Sequence, residues 1–139
     1  MPPTQGPKQN RIFAALPTAT YTRLLPLLEL VWLPAGYTIY EPRLPIRYLY
    51  FPTTCIVARR YEMENGSSTQ IGTIGNEGLT GISLFLGAET SAVREVVQSA
   101  GNAYRINASF LKKDFESGGD FQNLLLRFAQ ALIAANQSS

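Results

Sequence analysis

The one stretch whose residue types suggest ligand chemistry is Gly75-Asn76-Glu77-Gly78-Leu79-Thr80-Gly81, which runs into the short apolar segment Ile82–Leu86. Glycines let successive backbone N–H groups point to one side, and the start of a helix adds a field that favours negative charge. The pattern therefore reads as a cradle for a phosphate or a similar anion. A glycine-rich connection that binds nothing would have the same composition, so both readings stand at this level.

Other chemistry is scarce. The chain has no histidine, which removes the commonest general base and the commonest borderline metal ligand. Ser–His and Cys–His nucleophilic schemes are excluded with it, as are metal sites built from imidazoles. The single cysteine, Cys55, can form no internal disulfide and cannot by itself hold a four-thiolate cluster. No two carboxylates stand at a spacing that suggests paired acid and base. We expect no catalytic residues, no metal site and no enzyme. The net charge is +2, and the only adjacent basic pairs are Arg59-Arg60 and Lys112-Lys113. Such pairs read as solvated surface, so this segment is not expected to bind nucleic acid by itself.

The elements that must position the glycine loop follow from length and punctuation. At 139 residues, 45% apolar and 16% charged, the chain is sized for one globular domain with its own core. Met1 to Gln9 is proline-rich and polar and reads as a disordered tail without a signal-peptide core. No apolar run approaches the roughly 18 residues of a membrane span, so we expect a cytoplasmic protein with no membrane contact. Asn10–Leu16 reads as a short helix stopped by Pro17. Thr18 or Thr20 caps a second, with Leu24 and Leu25 on its apolar side. Strands are expected at Glu29–Leu33, Thr38–Tyr40, Arg47–Phe51, Cys55–Met63, Ser67–Thr73, Ala92–Gln98 and Asn102–Ile106. Between the fourth and fifth, Asn65-Gly66 signals a hairpin with a type I′ turn. Arg59 and Tyr61 share a face with Val57 and Met63, so the alternation there is imperfect. Asn107 or Ser109 starts a helix toward Glu116 that Gly118-Gly119 ends.

Asp120 caps a last helix that is still helical in pattern where the sequence stops. Phe121, Leu125, Phe128, Leu132 and Ala135 recur at spacings of four and three, an a/d seam of coiled-coil type. Leu124, Leu126 and Ile133 lie off the seam, so one stripe can pack on the domain and another on a second chain. Strands bounded by turns with helices at both ends give the expected class: α+β, mainly β, an antiparallel roll with short N-terminal helices and a long C-terminal dimerisation helix.

In this order the elements resemble the cyclic nucleotide-binding-like β-roll domain of the Crp/Fnr family of bacterial transcription regulators. The likeness is carried by Leu33-Pro34-Ala35-Gly36-Tyr37-Thr38-Ile39-Tyr40-Glu41-Pro42, by Tyr48-Leu49-Tyr50-Phe51-Pro52, and by Gly75 to Gly87, which resembles the family's phosphate-binding cassette. The resemblance covers residues 10–119 as the roll and 120–139 as the start of the dimer helix. It implies a homodimeric sensor for a small-molecule effector of unknown identity. DNA is then a partner only through a helix-turn-helix domain that this sequence does not contain. It also implies a ligand site from Gly75, Glu77, Gly78, Leu79, Thr80 and Gly81 together with Thr90, Ser91, Ala92 and Arg94. Family members that bind cyclic nucleotides use a cassette glutamate for the ribose and an arginine before a Ser/Thr-Ala pair for the phosphate. Here Ser91-Ala92 match the small pair, but the arginine position holds Thr90, and the glutamate position falls near Leu79 or Thr80 rather than at Glu77. Arg94 lies four residues on, displaced by about 13 Å at roughly 3.3 Å per residue. Threonine's lone hydroxyl does not replace a guanidinium fork on phosphate. No cofactor is expected, cyclic nucleotide is disfavoured, and the cassette reads as degenerate. A nucleotide site using Arg94 and a scaffold that only dimerises are the alternatives. The family's acidic Glu-Gly-Asp loop reads Glu41-Pro42-Arg43, and a glycine of the following turn is replaced by Thr54 or Cys55. Cys55 is expected as a buried small residue, or as a redox sensor if exposed with a lowered pKa.

Overall fold

In the computed structural model, which describes residues 6–91 and 93–137 and the side chains of the last helix up to residue 131, turn residues break the chain close to where expected. Residues 6–9, read as tail, instead include a 3-10 turn, Pro7–Gln9, that leads into the first helix. That helix, α1 (Arg11–Ala15), is capped by Asn10, whose side-chain oxygen takes the Ile12 N–H at 3.0 Å. It stops because Leu16 precedes Pro17 and is held extended. In α2 (Thr18–Leu24) the N-cap position falls to Pro17, so neither Thr18 nor Thr20 caps. Leu24 is buried, but Leu25 is 41% exposed because the chain tightens there into a 3-10 turn, Leu25–Leu27.

Seven strands follow as expected: β1 (Glu29–Leu33), β2 (Thr38–Tyr40), β3 (Tyr48–Pro52), β4 (Ile56–Glu62), β5 (Ser68–Ile74), β6 (Arg94–Ser99) and β7 (Gly101–Asn107). They form two sheets, in the orders β1-β7-β3 and β2-β6-β4-β5, with every pairing antiparallel. Leu33, Tyr50 and Ala103 of the first sheet meet Cys55, Val57, Ile74 and Val97 between the sheets. The opposite face of the first sheet carries Leu49, Phe51 and Ile106 into a larger core under the helices. There Phe13 stacks on Phe51 with centroids 4.2 Å apart, and Phe85 on Phe115 at 4.8 Å. The fold is an α+β antiparallel β-roll, and its α-helices hold nearly as many residues as its strands.

Two local readings change. The imperfect alternation in β4 has a cause, because Val57 and Ala58 are both buried and the ladders slip on either side of it. Gln98 is the extra residue opposite Ile56–Val57, and Ile71 the extra one opposite Arg59–Arg60. At the β4–β5 hairpin, Gly66 is left-handed (φ +90°) but Asn65 is not, which rules out a type I′ turn. The loop has three residues, Glu64-Asn65-Gly66, closed by Gly66 N–H to Met63 O and Met63 N–H to Ser67 O. Asn65 turns its side-chain oxygen onto the Ser67 N–H and hydroxyl, a local bond that competes with the left-handed conformation.

Helix α3 (Ala108–Glu116) starts at Asn107, whose side chain accepts the Ser109 N–H. Gly118 and Gly119, both left-handed, reverse the chain into α4 (Asp120–Gln137). The 18 residues of α4 span about 27 Å at 1.5 Å per residue. Its expected seam is corrected in part: Phe121 (1% exposed) and Leu125 (0%) are buried with Ala129 in the domain's own core, where a second chain cannot reach them. Phe128 is half-buried against the same core. The side chains of Leu132 and Ala135 lie outside the described residues. Among the described residues no helix is long and apolar enough to cross a membrane.

Candidate functional site

The glycine loop leaves β5 and is held by its own backbone. The Gly75 N–H donates to both carboxylate oxygens of Glu77, at 3.1 and 3.2 Å, so Glu77 folds back on the loop. Leu79 is fully buried in the larger core, where it anchors the loop and touches nothing outside. Thr80 is fully buried as well, and its N–H reaches Tyr50 O at 2.9 Å. Its hydroxyl sits in a chain whose direction is forced at both ends. The Tyr50 N–H can only donate, to Thr80 Oγ1 at 3.1 Å, and the Tyr48 carbonyl can only accept, from the Tyr40 hydroxyl. Thr80 therefore donates to Tyr40, at 2.9 Å. Gly81 is left-handed (φ +77°) and caps the 3-10 turn Ile82–Leu86. A side chain there would lie 2.5 Å from Leu49 Cδ2 and 2.8 Å from the Tyr40 oxygen.

A group that the sequence reading passed over completes the site. Glu95 in β6 is paired in register with Tyr40 on one side and Arg59 on the other. Its side chain is 2% exposed and shares its face of β6 with Val97, so it points between the sheets. Its Oε2 lies 3.8 Å from Arg59 Nε, and its carboxylate takes a hydrogen bond from the Gly81 backbone. Its Oε1 has no hydrogen-bond partner among the described residues. Burial pushes the Glu95 carboxyl up to about 7, against the opposing pull of Arg59 and the Gly81 amide. Burial, and secondarily the nearby Glu95 charge, also hold the Tyr40 hydroxyl well above its usual range. The amide that opens the cassette turn and the cation inside the roll thus converge on a buried carboxyl group. Arg59, expected on the surface, has only 12% of its side chain exposed. One signal did mark both residues: Arg59 follows Val57, and Glu95 precedes Val97, in the phase of the buried face.

The other expected ligands are dispersed. Arg94 follows the opposite face of β6 from Glu95, and there it pairs with Glu41 and with Glu62, whose Oε2 is 2.9 Å from Arg94 Nε. Those bonds, Glu62's first, raise the Arg94 pKa, and Arg94 in turn lowers that of Glu62. Arg94 therefore stands outside the cassette with two carboxylates already on it, which corrects its expected place at the ligand. Thr90 bridges to Pro45 and offers its carbonyl to the Ser83 hydroxyl at 3.1 Å. Buried Ser91 closes a local turn by bonding Val93 O at 2.6 Å. Ala92 lies outside the described residues. Arg43, in the loop where the resemblance expects Glu-Gly-Asp, is the only described non-glycine residue with a left-handed backbone (φ +72°). Cys55 is 1% exposed, and burial pushes its thiol up to about 11, which fits a packed residue and removes the redox-sensor option. Among the described residues no three metal-ligating side chains come together.

The loop is also tied to both ends of the described chain. Asn10, fully buried, donates from Nδ2 to Pro52 O at 2.8 Å and to Gly78 O at 2.7 Å. The Arg11 N–H reaches Asn76 O at 2.7 Å. On the other side the Phe128 ring of α4 lies so close to Gly78 that a Cβ there would be 2.2 Å away. Of the expected cassette, the structure brings together Thr80, Gly81 and the turn they open. It adds Tyr40, Arg59 and Glu95, and leaves Arg94 apart.

No protein-family model and no curated protein sequence matches the chain. Solved structures do. A Geobacter metallireducens protein described as cyclic nucleotide-binding superposes with a TM-score of 0.75 at 16% identity, covering 95% of this chain and 98% of that one. The N-terminal domain of a Streptomyces coelicolor transcriptional regulator gives 0.66 at 20% identity over 95% and 93%. The regulatory subunit of a cAMP-independent protein kinase A from Trypanosoma brucei gives 0.71 at 14% identity over 91% of this chain. The chain spans 44% of that subunit's length. The subunit's cAMP-bound form is a triple mutant in which a glutamate becomes alanine, a threonine arginine and a valine alanine. These likenesses establish that the chain has the cyclic nucleotide-binding β-roll fold.

Proposed function

We propose that this chain is a non-enzymatic, signal-sensing regulatory domain of the Crp/Fnr type, and that its cassette in the native sequence does not take a cyclic nucleotide. The observation that carries the second part is Glu95. A cyclic phosphate on the Gly81 amide, close to Arg59, would have to displace the buried Glu95 carboxyl from that amide, and above pH about 7, where Glu95 is ionised, the two like charges also repel in a poorly solvated interior. Thr90 supplies no guanidinium to offset that repulsion. The first part rests on the loop's ties to Asn10 and Phe128, through which a shift of the cassette is felt by the terminal helices. Its role as the N-terminal part of a longer regulator follows the Streptomyces protein, whose domain of this fold is described in those terms. In that arrangement DNA contacts belong to another domain, the protein works as a homodimer in the cytoplasm, and α4 pairs through residues other than the inward-facing Phe121 and Leu125.

Isothermal titration with cyclic AMP, cyclic GMP and cyclic di-GMP tests the reading. No saturable heat is expected from the native chain. A Thr90→Arg, Glu95→Gln double variant, which supplies a guanidinium and removes the competing charge, is expected to gain cyclic AMP binding. Micromolar binding by the native chain, abolished by Arg94→Ala, would overturn the proposal in favour of a site built on Arg94. A second reading, a scaffold that only dimerises, is favoured by Leu79 and Thr80, cassette residues that are fully buried in the domain's own contacts. Under it, disrupting Thr80 would leave regulation by the full-length protein unchanged, and sedimentation would still find a dimer.

A further inference from the structure

Where α1, the glycine loop and α4 meet, a cavity of about 260 Å³ opens to solvent, lined by Arg11, Ile12, Glu77, Leu124, Arg127 and Phe128. It lies outside the space between the sheets, and of the expected ligand residues only Glu77 lines it. Ile12 is buried, Leu124 and Phe128 are half-buried, and together they make an apolar floor. Two arginines border that floor. Among the described residues neither Arg11 nor Arg127 is in an ion pair. The cavity's own carboxylate, Glu77, is folded onto the Gly75 amide, where it accepts with both oxygens.

We infer that this cavity binds a small amphipathic carboxylate, with its hydrocarbon part on Ile12, Leu124 and Phe128 and its charged end held by Arg11 and Arg127. A planar guanidinium fork matches a carboxylate, and an apolar floor selects a hydrocarbon body over a free inorganic ion. At about 30 Å³ per non-hydrogen atom, water's share of its own liquid, the space holds roughly eight or nine such atoms. Octanoate and phenylacetate, with about ten each, would fill it and extend a little into its open mouth. An occupant would touch α4 and the loop together, because Phe128 lies against Gly78 and the Gly78 carbonyl is held by Asn10. That coupling, unlike the site itself, rests on the sensing role proposed above.

The test is titration calorimetry of the whole chain with octanoate and phenylacetate, with octanamide and inorganic phosphate as comparators. Arg11→Gln and Arg127→Gln, both at exposed positions, serve as variants whose folding is checked by circular dichroism. Saturable binding is expected for at least one carboxylate, weakened about tenfold or more in Arg127→Gln and in octanamide, with little from phosphate. No saturable binding of either carboxylate at millimolar concentration, or binding that both variants retain unchanged, would overturn the site. Phosphate binding as tightly as the carboxylates would also overturn it, since the floor would then contribute nothing. Amide chemical shifts separate the two claims: movement at Gly81 and along α4 on binding supports the sensing role, and movement confined to the cavity counts against that role while supporting the site.

Discussion

Replacing Glu95 by glutamine tests the central electrostatic argument through stability. The folded carboxyl titrates at about 7 and its ordinary value is 4.5, so between those two pH values the folded state keeps a proton that the unfolded chain releases. The stabilisation is fully present below pH 4.5, is lost as pH rises toward 7, and changes no further once both states are ionised. At about 1.4 kcal/mol per pH unit, the interval corresponds to a loss on the order of 3 kcal/mol. Glutamine keeps the shape and the acceptor for Gly81 but does not titrate. The variant should match the native chain near pH 4.5 and become more stable than it by on the order of 3 kcal/mol at pH 8. Urea unfolding of both proteins from pH 4.5 to 8 reads this directly. With a denaturant slope of about 1–3 kcal/mol per molar, the midpoints should separate by roughly 1–3 M at the alkaline end. Groups common to both proteins cancel in the difference. Parallel stability curves across this range would refute the reasoning, because Glu95 would then be ionised at ordinary pH and adequately compensated by Arg59.

Three further outcomes follow from the same geometry. Gly78→Ala should destabilise by about 1–3 kcal/mol through overlap with the Phe128 ring, and Phe128→Leu in the same chain should recover part of that loss in thermal unfolding. Thr80→Val keeps the volume but leaves the Tyr50 N–H without its bond and the Tyr40 oxygen without its donor, at about 1–3 kcal/mol in urea unfolding, whereas Thr80→Ser should be mild. Cys55, buried with its thiol at about 11, should resist a thiol reagent in the folded protein at pH 8 and react promptly in urea; fast labelling of the folded chain would contradict its burial.

Much of the fold is legible in local chemistry. Glycine, proline and asparagine mark the breaks, so β1 to β7, α3 at Asn107 and the left-handed Gly66, Gly81, Gly118 and Gly119 fall where single residues demand them. Where two local preferences competed, as at Asn65, the side-chain bond to Ser67 decided the turn type. Residue spacing also identified α4 and the stripe Phe121–Leu125, but not what that stripe would meet. A repeat of four and three specifies an apolar face, and an apolar face packs equally well on its own domain or on a second chain.

The charges show the same division most sharply. Alternation in β4 and β6 places Arg59 and Glu95 on the face of Val57 and Val97, yet nothing local says that the two strands are neighbours, or that Tyr40 lies on Glu95's other side. Register between strands far apart in the chain is set by the closure of the whole roll. That closure also brings the Gly81 amide onto the Glu95 carboxylate, Asn10 onto Gly78, and the Phe128 ring onto the same glycine. Local residue chemistry thus specifies the elements, their turns and the presence of a glycine cassette. That the cassette faces a buried carboxyl is a product of the closed roll, because a carboxyl group's role depends on which groups surround it once water has been excluded.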